Sequence, residues 1–378
     1  MIYFDNSATT KMYPEVLDTY RKVSEQFFGN PSSLHRIGNE ADALLQQSRK
    51  QIAQLLAVQP DEIFFTSGGT ESDNWAIKGT AMEKFHAGKH MITSSVEHPA
   101  VSKSLEQLGK LGFEITYLPV DTDGIISVEE LGKAIRKDTI LVSVMAINNE
   151  VGSIQPIEAI GELLENYPWV HFHVDAVQAV GECVPLIQHP RVDLLSLSAH
   201  KFHGPKGVGI LYKKHGKRIA PLLTGGGQEA GMRSTTENVG GVAAMAKALR
   251  MTLENGASSR EQEQLVRGKL FAALSEYEDV RIFSPEDGAG HILCFAMKGV
   301  RGEVMVHAFE SQDIFISTTS ACSSRKKGTP YTLGSMGVPL SWSQCAVRIS
   351  LSGENTQAEA DAFIEHFRTL HQQFQKIQ

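Results

Sequence analysis

The sequence predicts an α/β protein: a large, mainly parallel sheet with helices on both faces, followed by a smaller α+β domain. Three observations carry this. Short apolar runs rich in β-branched residues alternate with segments whose apolar residues recur at helical spacing. The residues suited to chemistry come directly after those apolar runs, where open α/β sheets collect their ligands. Beyond residue 255 the alternation gives way to a mixed pattern.

Taken in order, Ala41, Leu44, Leu45, Ile52, Leu55 and Leu56 share one helical face, and Ile63-Phe64-Phe65 reads as a buried strand. Val101, Leu105, Leu108 and Leu111 mark a helix before a strand near Phe113–Leu118. Ile140–Ile147 is a strand, and Ile157, Ile160, Leu163 and Leu164 form the next helical face. Strands follow at Val170–Val174, Leu194–Ser198 and Val208–Tyr212. A polar, turn-like stretch near Glu254–Ser259 marks a boundary. A helix, two short strands (Arg281–Phe283, Ile292–Ala296), a Gly/Ser/Lys-rich loop and a last helix carrying Ala360, Phe363, Phe367, Leu370 and Phe374 complete the chain. The expected division is 15–255 as the large domain. Residues 1–14 with 256–378 form the small one, with a loop at about 317–331.

At 378 residues the chain suits two domains of about 150 residues or more each. Its 42% hydrophobic and 21% charged residues are ordinary for a soluble enzyme. A net charge of −7 argues against a nucleic-acid binder held by bulk charge. Met1-Ile2-Tyr3-Phe4-Asp5-Asn6 does not read as a signal peptide, and no run approaches the ~20 apolar residues of a membrane helix. The expected location is the cytoplasm. The four cysteines Cys183, Cys294, Cys322 and Cys345 are scattered without a Cys-x-x-Cys pair, which disfavours a disulfide framework or a Cys-rich metal site. Three of them sit among apolar neighbours and read as core residues; Cys322 does not.

The chemistry-bearing residues lie after the strands. In Ser196-Leu197-Ser198-Ala199-His200-Lys201 an apolar strand ends in small polar residues and a lysine, the place for a Schiff-base lysine beside phosphate-binding Ser198 and His200. Alone, Lys201 would read as a solvated loop residue. Asp175 closes the run His171-Phe172-His173-Val174, where a carboxylate is costly to bury without a partner. A pyridinium nitrogen is one such partner. A metal held by His171, His173 and Asp175 is the weaker reading, because no further ligand cluster accompanies them. Phe65-Thr66-Ser67-Gly68-Gly69-Thr70 runs a strand into a helix N-terminus, a cradle for phosphate from Gly69 and Thr70. His98, just before Pro99, could stack on a ring and move protons. An asparagine of Asn148-Asn149 could reach the ring's phenolic oxygen.

These blocks, with Tyr3-Phe4-Asp5-Asn6-Ser7-Ala8-Thr9-Thr10, Asn30-Pro31-Ser32-Ser33-Leu34-His35 and Val347-Arg348-Ile349-Ser350-Leu351, resemble the cysteine desulfurases (NifS/IscS-like) among the fold-type I pyridoxal-phosphate enzymes of the class V aminotransferase family. The resemblance spans nearly the whole chain. It implies a sheet of the seven-stranded type and pyridoxal 5'-phosphate as cofactor. It implies that Lys201 forms the Schiff base, Asp175 pairs the pyridine nitrogen, and Gln178 and Asn149 contact the ring's oxygen side. His98 would stack on the ring and act in acid–base steps; Gly69, Thr70, Ser198 and His200 would hold the phosphate. A threonine from a second subunit completes the phosphate site in the family, and Thr236 matches it, which implies a homodimer. Here Ala230 replaces a common arginine and Thr235 a common glycine, the latter where the backbone could want φ > 0.

Ile316–Pro330 is polar and basic and reads as a mobile loop. Arg325, Lys326 and Lys327 should favour the Cys322 thiolate. By the resemblance, Cys322 attacks the sulfur of L-cysteine, alanine leaves, and a persulfide stays on Cys322. Arg348 would grip the substrate carboxylate with its guanidinium fork. Eight residues (323 to 330) separate Cys322 from Tyr331, like the long-loop class, and a chain reaching up to ~3.5 Å per residue could carry sulfur to an iron–sulfur scaffold or a tRNA-thiolating enzyme. Two other readings stand beside this one. Another fold-type I enzyme, such as a selenocysteine lyase or aminotransferase, shares Lys201 and Asp175 without a use for Ser320-Ala321-Cys322. A non-catalytic protein could also have kept the fold.

Overall fold

The computed structural model describes residues 1–319 and 331–375. Its larger sheet has seven strands, in the spatial order Ile63–Thr66, Gly209–Lys213, Leu194–Ser198, His171–Asp175, Thr139–Met145, His90–Ser94 and Glu114–Leu118. Only Gly209–Lys213 runs against the rest. The central strands Thr139–Met145, His171–Asp175 and Leu194–Ser198 are buried at every position. Helices cover both faces of such a sheet, which is why these strands read as continuous apolar runs rather than alternating ones. Because the strands share a direction, Thr66, Ser94, Met145, Asp175 and Ser198 all end at one edge, and the loops that follow converge there.

Three helices, Pro14–Gln26, Arg36–Leu56 and Val239–Glu254, pack together beside the sheet. The second opens with the His35 ring accepting from the Gly38 amide and closes on a left-handed Ala57 (φ 56°).

The second sheet is antiparallel, in the order Ser317–Thr318, Ala346–Ser350, Ile292–Met297 and Val280–Ile282. Its core packs Phe4, Phe295, Phe309, Phe363 and Phe367, with Phe309 and Phe363 stacked at 4.5 Å between ring centroids. The N-terminus belongs to this side: Ile2–Tyr3 pairs with Ile314–Phe315, and Asp5 bridges to Ser350. Among the described residues no helix is long and apolar enough to cross a membrane.

Two expectations change. The polar stretch near Glu254–Ser259 is not a turn: helix Val239–Glu254 meets helix Gly256–Leu274 at Asn255 alone. The Asn255 carbonyl accepts from the Ser258 hydroxyl, and the polar residues of the new helix largely face solvent, so polarity there reflects exposure rather than a break. Ser317 and Thr318, expected in a loop, are paired with Arg348 and Val347. Cys322 and the basic run Arg325–Lys327 lie outside the described residues.

Candidate active site

Strand Leu194–Ser198 runs into a single helical turn, Ala199–Lys201. The buried Phe202 and the return of the Gly204 amide to the Ala199 carbonyl (2.9 Å) lock this turn. Lys201 Nζ donates to the carbonyls of Ser7 and, at 2.9 Å, Ala8. The same N-terminal strap accepts from Gln178 Nε2 at Ser7 (3.1 Å), and its Thr10 donates through both amide and hydroxyl to the His200 carbonyl. The sequence reading missed this strap, since a backbone carbonyl carries no residue signature.

Asp175 closes the neighbouring strand and is 5% exposed. Burial pushes its carboxyl up, while the Val177 amide (3.0 Å) and the charge of Lys201 pull it back towards the anion. Among the described residues it makes no ion pair. His98 caps helix Pro99–Gly109, its Nδ1 accepting from the Ala100 amide at 3.1 Å. That bond leaves the ring proton on Nε2, and burial holds the imidazole below its ordinary range, so the neutral form dominates.

Gly68 adopts φ 146°, ψ −177°, open in practice only to glycine, and Gly69 begins helix Gly69–Glu83. A Cβ on Gly69 would come within 2.7 Å of Val177 Cγ2, and one on Gly68 within 3.4 Å of Ser198 Oγ. The first amides of this helix, which have no partners within it, are thus held open beside Ser198 and the Asp175–Val177 turn. His200 places Nδ1 3.2 Å from Thr9 Oγ1, and burial with the charges of Lys201 and Lys206 pushes it down to about 4. Gly69, Thr70, Ser198, His200, Lys201, Asp175 and His98 therefore come from the ends of four strands to one edge of the sheet.

The two asparagines divide their tasks. Asn148 is fully buried and pins the loop, donating to the Val96 carbonyl (3.0 Å) and accepting from the Glu150 and Val151 amides. Asn149 is half-buried, and its carbonyl accepts from Arg348 Nη1 at 2.7 Å. Arg348, 5% exposed, also holds Asp5 through Nη2 at 3.0 Å, while its buried Nε has no partner among the described residues. Thr236 is exposed and lines a separate small cavity with Thr66, Gly207 and Thr235. Thr235 does not adopt a positive φ; that conformation falls on Glu229, Ala230 and Gly231 instead.

The rings weighed as metal ligands are hydrogen-bonded within the core. His171 Nδ1 meets Thr80 Oγ1, and His173 meets Ser143 and Ser196. A cavity of about 280 Å³, lined by residues as far apart in the chain as Asn6, Glu263 and Gly353, reaches Lys201 and Gln178. Neither Asp175 nor His98 lines it, so the side-chain cluster rather than this void defines the site. A buried carboxylate without a cation, an open helix N-terminus and a lysine at a strand end suit a phosphorylated, cationic aromatic ring. The residues present fit pyridoxal 5'-phosphate.

Residues 2–363 match the family described as aminotransferase class-V. The chain belongs to the class-V aminotransferase family. Within the class-V family it is 53% identical to a "NifS/IcsS protein homolog" of Lactobacillus delbrueckii subsp. bulgaricus, covering 100% of this chain and 99% of that one. It is 41% identical to "Cysteine desulfurase IscS" of Clostridium botulinum, over 96% of this chain and 92% of the relative. A solved structure of a NifS-like protein superposes with a TM-score of 0.92 at 38% identity, over 98% of this chain and 99% of the other. Class-V membership agrees with the expected fold.

Proposed function

We propose that this protein is a cysteine desulfurase: it removes sulfur from L-cysteine, releases alanine, and carries the sulfur as a persulfide on Cys322 for an acceptor protein. The observation that carries the reading is the meeting of Lys201, Asp175 and His98 at one sheet edge, in a chain whose relatives are named for this activity.

When bound, pyridoxal 5'-phosphate supplies an electron-withdrawing ring that stabilises negative charge at the substrate's Cα. Lys201, whose Nζ now bonds the Ser7 and Ala8 carbonyls, would hold it covalently. Asp175 supplies the buried anion for its ring nitrogen. Gly69, Thr70, Ser198 and His200 hold its phosphate, and Gln178 and Asn149 flank its oxygen. His98 would stack on the ring, with Nε2 available for proton transfer because Nδ1 accepts from the Ala100 amide. Arg348 presents its unpaired Nε and shared Nη groups to the substrate carboxylate. The Cys322 thiolate takes the sulfur: an S–S bond forms as the substrate's Cβ–Sγ bond breaks, and a proton completes alanine.

The working unit is a homodimer in the cytoplasm, in which Thr236 of each subunit completes the phosphate site of the other. Residues 15–255 form the cofactor domain, and residues 1–14 with 256–378 form the smaller one. The acceptor is an iron–sulfur scaffold or a tRNA-thiolating enzyme. Borohydride reduction of the cofactor-loaded protein, followed by peptide mapping, should place a pyridoxyl group on Lys201. Cys322→Ser should abolish persulfide and slow sulfide release. A label on another residue, or sulfide release by Cys322→Ser at the wild-type rate, would sink the reading.

A further inference from the structure

Asp175 is not the only buried carboxyl beneath the site. Asp73, on helix Gly69–Glu83, is 1% exposed and hydrogen-bonded to the Asp175 carboxyl. Its remaining surroundings are sparse. Ser196 reaches it from strand Leu194–Ser198, and His173 Nε2 stands 3.5 Å from Oδ1. Glu97, buried on the loop after strand His90–Ser94, faces it with a third carboxyl. No cation pairs with it among the described residues, and Oδ1 has no hydrogen-bond partner.

Two carboxyls in hydrogen-bond contact cannot both be ionised. One proton must lie between Asp73 and Asp175, and the surroundings decide where. Asp175 has the Val177 amide at 3.0 Å and the charge of Lys201 to favour its anion. Asp73 faces two acids, a hydroxyl and a His173 ring that burial keeps neutral, pushed down to about 3. The anion belongs on Asp175 and the proton on Asp73.

We propose that Asp73 is a positioning residue whose carboxyl, kept as the neutral acid, donates its hydrogen bond to Asp175 and so fixes that carboxylate for the cofactor's ring nitrogen. This rests on the cofactor reading above but adds to it a residue that touches neither cofactor nor substrate. The proton also explains how a buried carboxyl oxygen beside a second carboxyl is tolerated without a cation.

The test compares Asp73→Asn with Asp73→Ala in the full-length chain. Asparagine keeps the shape and supplies an N–H donor in place of the acid's O–H. The infrared carbonyl band of protonated carboxylic acids, recorded near neutral pH on the cofactor-free chain, should lose one component in Asp73→Asn. Unchanged intensity would mean that Asp73 is ionised, and would overturn the proposal. In the loaded protein, Asp73→Asn should bind pyridoxal 5'-phosphate within about threefold of wild type, and Asp73→Ala about tenfold or more weakly, the loss of one hydrogen bond to a charged group. The pH midpoint of the visible absorption band should move in Asp73→Ala and stay in Asp73→Asn. Equal loss of affinity in both variants, or in neither, contradicts the donor role. If Asp73→Ala does not fold, the infrared comparison of Asp73→Asn with wild type decides alone. A wild-type chain that takes up no pyridoxal 5'-phosphate would instead refute the cofactor reading, and the infrared result would still stand.

Discussion

Arg348 joins three parts of the chain: it sits on the small sheet, holds Asp5 of the N-terminal strap, and bonds the Asn149 carbonyl of the large sheet's edge. Alanine at this position removes charge-assisted hydrogen bonds to a substrate carboxylate, so KM for L-cysteine should rise about 10- to 100-fold with a smaller change in kcat. Lysine keeps the charge but not the fork and should fall between. Steady-state alanine formation checks this; a fall in kcat with KM unchanged would remove Arg348 from substrate binding. Residues of this kind were legible because each closes or follows an apolar run: Lys201 after Leu194–Ser198, Asp175 after Val174, His98 before Pro99. Asp73 and Glu97 were not read as site residues, because an acid in or beside a helix reads as a solvated group by default. Asp73 is buried with Ser72, Trp75, Ala76 and Ile77 while Asn74 beside it is not, a difference that residue type does not announce.

At the level of elements, the segment 225–236 is held by two ion pairs, one to helix Arg36–Leu56 and one to helix Gly69–Glu83. Arg49 meets Glu229 at 2.5 Å, and Arg233 meets Glu71 at 2.6 Å. Glu71 lies in the first turn of helix Gly69–Glu83 and also accepts from the Ser67 amide, so the second pair ties the segment carrying Thr236 to the open helix N-terminus. Glu229 is 2% exposed in its side chain and accepts in addition from the Phe65 amide. Glu229→Ala leaves Arg49 half-enclosed without its partner and should cost about 3–5 kcal/mol of stability, read from the denaturant midpoint. A loss below about 1 kcal/mol would show the pair to behave like an exposed one. The central strands Thr139–Met145, His171–Asp175 and Leu194–Ser198 were legible because burial on both faces makes them continuous apolar runs. A helix beyond residue 259 was legible too, but its start at Gly256 was not, because its exposed face carries the polar residues that also mark turns. The left-handed residues Glu229 and Ala230 had no signature either, since neither is glycine.

Over the whole molecule, two sets of buried groups act against each other as pH changes. Burial raises Glu97 from 4.5 to about 8, and Glu150 and Glu263 each to about 7. The folded chain keeps these protons while the unfolded chain releases them, so their contribution falls as pH rises from 4.5 to between 7 and 8. Burial lowers His173 from 6.5 to about 3, and His200 and His291 to about 4. Here the unfolded chain takes up protons that the folded chain refuses, so stability falls as pH drops below 6.5. Between 4.5 and 6.5 the slopes oppose one another; above that window only the acids act, and below it only the histidines. The cofactor-free protein should therefore show a shallow stability maximum inside that window, with losses on both sides, when denaturant midpoints are measured across pH. Glu97→Gln isolates one arm. Its carbonyl can accept from Ser94 Oγ and the Met145 amide as the carboxyl does, so the alkaline loss should shrink while the acid loss stays. An alkaline arm of wild-type steepness in that variant would mean that Glu97 is already ionised in the folded chain, and that the carboxyls below the site share their protons differently.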